Sequence, residues 1–145
     1  MVAFLIDIYE SLYTHGVKLI VLISWHIGNA NAIKKVARFM YDKYGIKILY
    51  FRTPGLGKMR KLCTSKQWHR VFFHAEEIET SIMLAIRPDL VDMNKAIPSY
   101  PKPPRTFEYM PHTWDEFTKI GVLGDPTKAT AEKGKKCWRS LLIPS

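Results

Sequence analysis

The feature that most constrains the fold of this chain is a pair of short apolar runs separated by a segment with helical periodicity. Residues 17–23 form a β-branched run, and residues 46–51 form a second apolar run. Between them, apolar side chains recur at helical spacing up to Gly45, namely Ile33, Val36, Ala37, Met40 and Tyr41. This order predicts two parallel strands joined by a crossover helix. We therefore expect an α/β fold.

The first run stops abruptly at a polar loop, residues 24–29, with the sequence Ser-Trp-His-Ile-Gly-Asn. Ligands of parallel sheets collect at the carboxyl ends of the strands, which is where His26 is expected. An imidazole in that place is a candidate metal ligand, and the alternative is a hydrogen-bonded loop histidine. Asn29 is predicted to start the following helix, since short polar side chains cap free amides.

Residues 74–81, His-Ala-Glu-Glu-Ile-Glu-Thr-Ser, place one imidazole and three carboxylates at the start of an apolar helical pattern. Carboxylates within one turn repel each other, and the helix N-terminus offsets only part of that repulsion. This density favours a bound cation or an acid–base function. The alternative is that the acids only complement the helix dipole and that His74 is a cap.

Both segments resemble motifs of the creatininase family of metal-dependent amidohydrolases. The loop at 24–29 is similar to that family's Asn-Gly-His-Gly-Gly-Asn turn, and 74–81 is similar to its His-Ala-Gly-x-x-Glu-Thr-Ser segment. Residues 121–126 and 129–134 are similar to its closing Gly-x-x-Gly-Asp-Pro and Ala-x-x-Glu-Lys-Gly blocks. The resemblance covers nearly the whole chain. It implies a three-layer α/β/α fold with a largely parallel sheet, in one domain spanning 1–145.

The resemblance also implies an activity and a set of site residues. His26 would be a metal ligand, and Glu79 would act at the metal centre as ligand or proton acceptor. His74 would be catalytic and face the substrate, with Glu77 and Asn29 as further substrate contacts. The metal would be Zn, Mn or Fe, and metal-activated water would cleave a non-peptide C–N bond in a cyclic amide or formamide.

Several positions depart from the family pattern. Ser24, Trp25 and Ile27 replace Asn, Gly and Gly, which adds bulk to the loop, and Glu76 replaces the Gly after His-Ala. The Glu-x-His pair and the Asp that family enzymes carry near their N-terminus have no counterpart before His26. We therefore expect a family domain without its front portion, with fewer ligands than the roughly three that a catalytic metal needs. The alternative function is a non-catalytic remnant or assembly subunit.

The acids that do precede His26 belong to another predicted element. Phe4, Leu5, Ile8, Leu12 and Tyr13 form a helical stripe that ends near Gly16. Asp7 and Glu10 are expected on the solvated face of that helix.

The most basic segment explains much of the formal net charge of +9. Pro54, Gly55 and Gly57 predict a loop in this segment. The segment has no acidic residue, and its bases are Arg52, Lys58, Arg60, Lys61, Lys66 and Arg70. Arg60, Lys61 and Arg70 are candidates for an anion site, although a solvated loop is the commoner meaning of such a run. A third function, a basic nucleic-acid-binding module, would use this segment with Trp68.

Residues 98–118 form a proline-rich and aromatic arm, with five prolines and the side chains of Tyr100, Phe107, Tyr109 and Trp114. Proline disfavours regular structure, and the aromatic rings need burial. The arm is expected to lie across the body or across a neighbouring subunit, and the alternative is a surface loop packed on its own domain. The resemblance implies a homo-oligomer, commonly a hexamer.

Composition is consistent with one cytoplasmic globular domain. The chain has 145 residues, of which 47% are apolar, enough for a core. We expect no signal peptide, no membrane span and no membrane partner, because residues 17–23 are too short to cross a bilayer. Cys63 and Cys137 are expected to be reduced thiols.

Overall fold

The computed structural model describes residues 1–142, and it divides into two compact units, one formed by Met1–Pro54 and the other beginning at Gly55. Each unit has its own helices and its own buried side chains, and each is described by itself below. The single domain expected from the sequence stays a prediction.

The first unit contains two helices and two strands: α1 (Val2–Thr14), β1 (Ile20–Ser24), α2 (Ala30–Tyr44) and β2 (Ile48–Arg52). The two strands pair in parallel, with Ile20 opposite Ile48 and Ser24 opposite Arg52. Helix α2 is the crossover connection between them. The predicted α/β fold with parallel strands is confirmed.

The ends of these elements follow local chemistry. Helix α2 ends at Gly45, whose left-handed backbone (φ 68°) lets its N–H bond the carbonyl of Tyr41 at 2.8 Å. Helix α1 ends before Gly16, as the stripe predicted. Both strands begin two or three residues later than the apolar runs suggested, since apolarity alone does not fix where pairing starts.

The core of the first unit lies between the helices and one face of the sheet. It contains Tyr9 from α1, Val36 and Met40 from α2, Ile20 from β1, and Ile46. Glu10 differs from its expected place on a solvated face. Its Oε1 accepts hydrogen bonds from Lys43 Nζ (2.9 Å) and Tyr44 Oη (2.7 Å), which tie α1 to α2.

The opposite face of the sheet is apolar and open to solvent. Side chains alternate across a strand, so every second residue of β1 and its partners in β2 share this face. The exposed fraction of each side chain is between 48% and 69% for Leu19, Val21, Ile23, Leu49 and Phe51. We call these five residues the open sheet face.

Between Gly55 and Leu142, the second unit contains three α-helices: α3 (Leu56–Arg60), α4 (Glu77–Ile86) and α5 (Ala131–Leu142). Short 3-10 turns lie at Pro88–Leu90, Met93–Lys95, Trp114–Glu116 and Pro126–Lys128. The loop predicted around Gly57 was wrong in part, because one helical turn, α3, forms there. Gly55 starts that turn with a left-handed backbone.

Helices α4 and α5 pack directly on each other. Gly134 of α5 lies so close to α4 that a Cβ built on it would meet the main chain of Ser81. Ser81 Oγ also accepts a hydrogen bond from the Thr130 N–H (3.1 Å), at the start of α5. The closing block of the sequence therefore holds the segment 74–81 in place.

The arm at 98–118 packs against aromatic side chains of the second unit. Trp68 stacks on Phe117 with ring centroids 6.0 Å apart and meets Phe107 edge-on at 5.6 Å. Within the arm, the His112 ring forms two hydrogen bonds, one between Nδ1 and Glu116 Oε2 (2.6 Å) and one between Nε2 and Thr106 Oγ1 (2.9 Å). These contacts lie within the second unit, and the two interpretations of the arm stay predictions. No helix among residues 1–142 combines the length and apolarity that crossing a membrane requires.

Candidate functional site

His26 lies in the first unit, directly after β1. Its imidazole is exposed and lies over Gly28, with Nε2 2.8 Å from where a Cβ on that residue would be, so a side chain there would displace the ring. The turn is held by Ser24, whose buried hydroxyl donates to the His26 carbonyl (3.2 Å) and accepts from Asn29 Nδ2 (3.4 Å). The turn thus presents one imidazole to solvent, and Asn29 supports it.

His74 and Glu79 come together in the second unit. His74 Nδ1 lies 3.8 Å from Glu79 Oε2, and the two side chains are 45% and 28% exposed. The main chain of His74 is fixed by two hydrogen bonds with Leu123 in an isolated antiparallel bridge. Glu79 Oε2 also accepts the Ala75 N–H at 2.6 Å. An imidazole and a carboxylate therefore face each other at a partly exposed position.

Trp114 lies beside this pair, a neighbour that the sequence did not predict. Its ring meets the His74 ring at a centroid distance of 4.9 Å and an angle of 64°. It also lines a cavity of about 270 Å³ whose walls include Phe72, Phe107 and Phe117. Forty positions separate Trp114 from His74 in the sequence, and no spacing pattern connects them.

Glu76 caps helix α4. Its Oε1 accepts the N–H of Ile78 (2.9 Å) and of Glu79 (3.3 Å), so the cap is Glu76 and not His74. The residue before it, Ala75, has a left-handed backbone with φ of 48°, which costs free energy for any residue with a Cβ.

Burial raises the pKa of Glu76 to about 7, since burial penalises the carboxylate more than its two amide hydrogen bonds favour it. The neighbouring charges of Glu79 and Glu77 raise the pKa further. Glu76 is thus a buried carboxyl group that exchanges a proton near neutral pH.

Glu77 has a different environment, although it is the next residue. Its side chain is 1% exposed and ion-paired with Lys133 of α5. The same carboxylate accepts the N–H groups of Thr64 (3.0 Å) and Ser65 (2.7 Å). Burial raises the pKa of Glu77, but these hydrogen bonds outweigh it and hold the pKa at about 2. Glu77 therefore joins a loop, α4 and α5, and its predicted contact with a substrate stays a prediction.

Of the three basic residues predicted for an anion site, Arg60 alone lines a cavity in the second unit, together with Lys66. The side chains of Lys61 and Arg70 are exposed and do not line it. Arg70 contributes its carbonyl, which accepts a hydrogen bond from Arg60 Nη1 at 2.9 Å. Cys63 and Cys137 are free thiols, as expected.

A catalytic metal takes about three protein ligands and keeps an open position. No group of three or more His, Cys, Asp or Glu side chains placed to hold a metal occurs within residues 1–142. The first unit offers the His26 imidazole, and the second offers the His74–Glu79 pair. Within each unit taken by itself, these described donors number fewer than three.

Comparisons with known proteins give the family. The family model described as "Creatininase: Creatinine amidohydrolase" matches residues 1–142. A crystal structure of creatinine amidohydrolase is 24% identical with a TM-score of 0.73, covering 97% of this chain and 58% of that one. A Zn-Zn creatininase variant is 25% identical with the same TM-score and coverage. A creatininase Mn structure is 21% identical with a TM-score of 0.71.

These findings define an α/β protein with a creatininase-like fold, as the sequence predicted. The chain belongs to the creatininase family. It spans 58% of the length of the creatinine amidohydrolase structure that it matches. A search of curated proteins finds no significant match.

Proposed function

We propose that this chain takes part in the hydrolysis of a non-peptide C–N bond in a cyclic amide or a formamide. The observation that supports this most directly is the His74–Glu79 pair, 3.8 Å apart, in the segment that carries the family motif. The chain spans 58% of the length of the creatinine amidohydrolase structure that it matches, so only the part that its own residues play in the reaction is proposed.

Amide hydrolysis needs a base for the attacking water and an acid for the leaving nitrogen. Glu79 is suited to hold the proton, because the Ala75 N–H fixes one carboxylate oxygen at 2.6 Å. His74 Nδ1 lies 3.8 Å from Glu79 Oε2, which is beyond direct hydrogen-bond distance, so a proton would pass between them through one water molecule or a substrate atom. Trp114 lines a largely apolar cavity with a volume of about 270 Å³, which offers space for the body of a small substrate.

The proposed cofactor is a divalent metal, Zn, Mn or Fe, which would supply Lewis-acid polarisation of the amide carbonyl when bound. Two candidate ligands come from the family motifs, and each is considered by itself: His26 in the turn after β1, and Glu79 in helix α4.

The second candidate is the alternative that the sequence left open, a non-catalytic assembly subunit. A subunit of this kind would keep the fold and the α4–α5 packing without completing a metal centre.

Metal content separates the two candidates. Protein purified without chelators is analysed for Zn, Mn and Fe per chain, alongside His26→Ala. His15→Ala is the matched control, because His15 is exposed in the same unit and outside the motif. Stoichiometric metal that is lost in His26→Ala alone supports the hydrolase. A folded wild-type chain without metal supports the assembly subunit.

Activity is then measured on creatinine and on N-formyl amines with the wild type, Glu79→Gln and His74→Ala. Glu132→Gln is the control, since Glu132 is an exposed acid of α5 that pairs with Lys136. Loss of turnover by about 100-fold or more in the first two variants, with the control unchanged, is expected for acid–base groups. Equal turnover in Glu79→Gln and the control would contradict the proposed role of Glu79.

A further inference from the structure

The cavity beside Trp114 is lined mainly by aromatic side chains, and we call it the aromatic cavity. Its volume is about 270 Å³, and its walls include Phe72, Phe107, Met110, Trp114, Phe117 and Leu123. An apolar cavity of roughly 150 Å³ is already enough to hold benzene. The aromatic cavity therefore has room for one substituted aromatic ring.

The aromatic cavity borders the His74–Glu79 pair. Two of its wall residues contact His74. The Trp114 and His74 rings lie 4.9 Å apart between centroids, and Leu123 holds the His74 main chain through two hydrogen bonds. Leu123 is 2% exposed, so this wall is fixed in the interior of the unit. A substituent on a ring in the cavity can therefore extend toward the imidazole.

Three of the walls leave much of their apolar surface in water. Phe72 is 38% exposed, Trp114 47% and Met110 53%, although all three surround one cavity. Exposed apolar side chains that cluster in this way mark a binding site, whereas scattered ones do not. Phe107 meets Phe72 and Phe117 edge-on, with centroids 5.2 Å and 5.4 Å apart. A bound ring would extend this edge-to-face arrangement, which stabilises aromatic pairs beyond the burial of area.

The side chains of the walls leave little for a polar ring to bond. Both ring nitrogens of His112 are engaged, one with Glu116 and the other with Thr106. The Trp114 indole can donate one hydrogen bond and accepts none. The remaining side chains of the walls carry no nitrogen or oxygen. A ring with several polar atoms would therefore lose hydrogen bonds to water that these side chains do not replace.

We propose that the substrate is a neutral anilide, an amide whose nitrogen carries an apolar aromatic ring, with the ring in the aromatic cavity and the amide at the His74–Glu79 pair. This inference rests on the proposed hydrolase function and names its substrate class. Water adds its oxygen to the acyl carbon, the C–N bond breaks and the nitrogen takes a proton, so formanilide and water give aniline and formic acid. Creatinine and phosphorylated rings are disfavoured, because the walls do not satisfy their polar groups.

Binding of the ring is measured first, with ligands that contain no bond to hydrolyse. Benzyl alcohol carries the ring and one polar substituent, and pyrimidin-4-ylmethanol has the same shape with two ring nitrogens. Both are titrated onto the full chain and followed by ligand-observed NMR. We expect a Kd of roughly 1 mM for benzyl alcohol. The pyrimidine is expected to bind at least about tenfold more weakly, because its ring nitrogens lose water without gaining a partner.

Two variants locate the ring. Phe72→Ala removes an aromatic wall and is expected to weaken benzyl alcohol binding about fivefold. Met110→Gln changes little in size at an exposed position, so it should fold, and it offers an amide donor to a ring nitrogen. The preference for benzyl alcohol over the pyrimidine should fall about threefold or more in that variant. Met83→Gln is the matched control, because Met83 is 41% exposed in α4 and does not line the cavity.

Turnover is then measured on formanilide, 4-formamidopyrimidine and creatinine. The pyrimidine amine is the better leaving group, so 4-formamidopyrimidine is intrinsically the more reactive of the two formamides. A preference for formanilide therefore reports recognition of the ring. We expect kcat/KM to be at least about tenfold higher for formanilide than for either of the other two amides.

The outcomes separate this proposal from the hydrolase function. Selective binding of benzyl alcohol that weakens in Phe72→Ala, together with preferred turnover of formanilide, supports the anilide. Equal or tighter binding of the pyrimidine, or equal effects of Met110→Gln and Met83→Gln, would overturn it. Faster turnover of 4-formamidopyrimidine or creatinine would also overturn it and would leave the hydrolase function standing. Selective ring binding without turnover of any amide would overturn the hydrolase function, and the anilide as its substrate, while the ring site remained.

Discussion

Gly134 of α5 lies against the main chain of Ser81 in α4, so closely that a Cβ at residue 134 would be 1.9 Å from the Ser81 carbonyl oxygen. Two helix backbones can approach this closely only where one of them has no side chain. The contact links the closing block of the sequence to the helix that begins with the acidic cluster.

Gly134→Ala is expected to destabilise the protein by about 2 kcal/mol, because the two helices must move apart to admit a methyl group. The free energy of unfolding from urea denaturation checks this. Gly57→Ala is the control, since nothing lies within 4 Å of a Cβ there. It should be neutral or stabilising by about 0.5–1 kcal/mol through helix propensity. Similar losses in both variants would contradict the close approach.

Lys133→Met is expected to cost about 3 kcal/mol, because it leaves the buried Glu77 carboxylate without its counter-charge. The control is Lys136→Met, which breaks the exposed pair with Glu132 and should cost well under 1 kcal/mol. Urea denaturation at pH 7 measures both. A neutral effect of Lys133→Met would mean that the ion pair does not hold these elements together.

Glu77 also predicts an acid dependence. Its pKa is about 2 in the folded chain against an ordinary value of 4.5. The unfolded chain therefore binds more protons in this range, and the stabilisation is complete above about pH 4.5 and is lost as the pH falls toward 2. Glu77→Gln should be less stable than the wild type at pH 7, and the difference should shrink in acid. A constant difference from pH 7 to pH 3 would contradict this.

Glu76 predicts the opposite dependence. Burial raises its pKa from 4.5 to about 7, so the folded chain binds the extra proton. Below about pH 4.5 the carboxyl is protonated in both the folded and the unfolded chain, and the full stability is present. As the pH rises through 7 the folded chain must bury a carboxylate, and this stability is lost. Glu76→Gln should therefore be more stable than the wild type at pH 8, by about 2 kcal/mol, and similar to it at pH 5. Thermal unfolding at both pH values checks this, and a Gln variant that is weaker at pH 8 would contradict it.

Ala75→Gly is expected to stabilise the protein by about 0.5–1 kcal/mol. A left-handed backbone costs an L-residue about 1–2 kcal/mol, and glycine avoids that cost. The greater flexibility of glycine in the unfolded chain cancels part of this stabilisation. Ala32→Gly, within helix α2, is the control and should cost about 1 kcal/mol. Melting temperatures of the two variants should move in opposite directions. A lower melting temperature for Ala75→Gly would show that the turn is not strained.

Much of the fold could be predicted because it depends on local patterns. The β-branched run before His26 and the helical spacing up to Gly45 were enough to predict the parallel pair and its crossover helix. Element starts were less accurate, since β1 and β2 begin where hydrogen-bonded pairing begins, and apolar residues extend beyond that point in both runs.

The site was predictable only in its motif residues. The spacing within 74–81 brings His74 and Glu79 together, because both belong to one helix start. Trp114, Lys133 and the Arg60 cavity depend on contacts between residues that are far apart in sequence. The acids of the cluster look alike in the sequence, yet burial raises the pKa of Glu76 above the ordinary value, while hydrogen bonds to Lys133, Ser65 and Thr64 hold the pKa of Glu77 below it.

The open sheet face has a consequence for how the protein behaves in concentrated solution. Five large apolar side chains in contact with water favour association between molecules, whereas a net charge of +9 on each molecule opposes it. Added salt weakens that repulsion, because the screening length falls to about 8 Å at 0.15 M, while contact between apolar surfaces is little affected. This chain should therefore remain dispersed in dilute buffer and begin to cluster as the ionic strength rises.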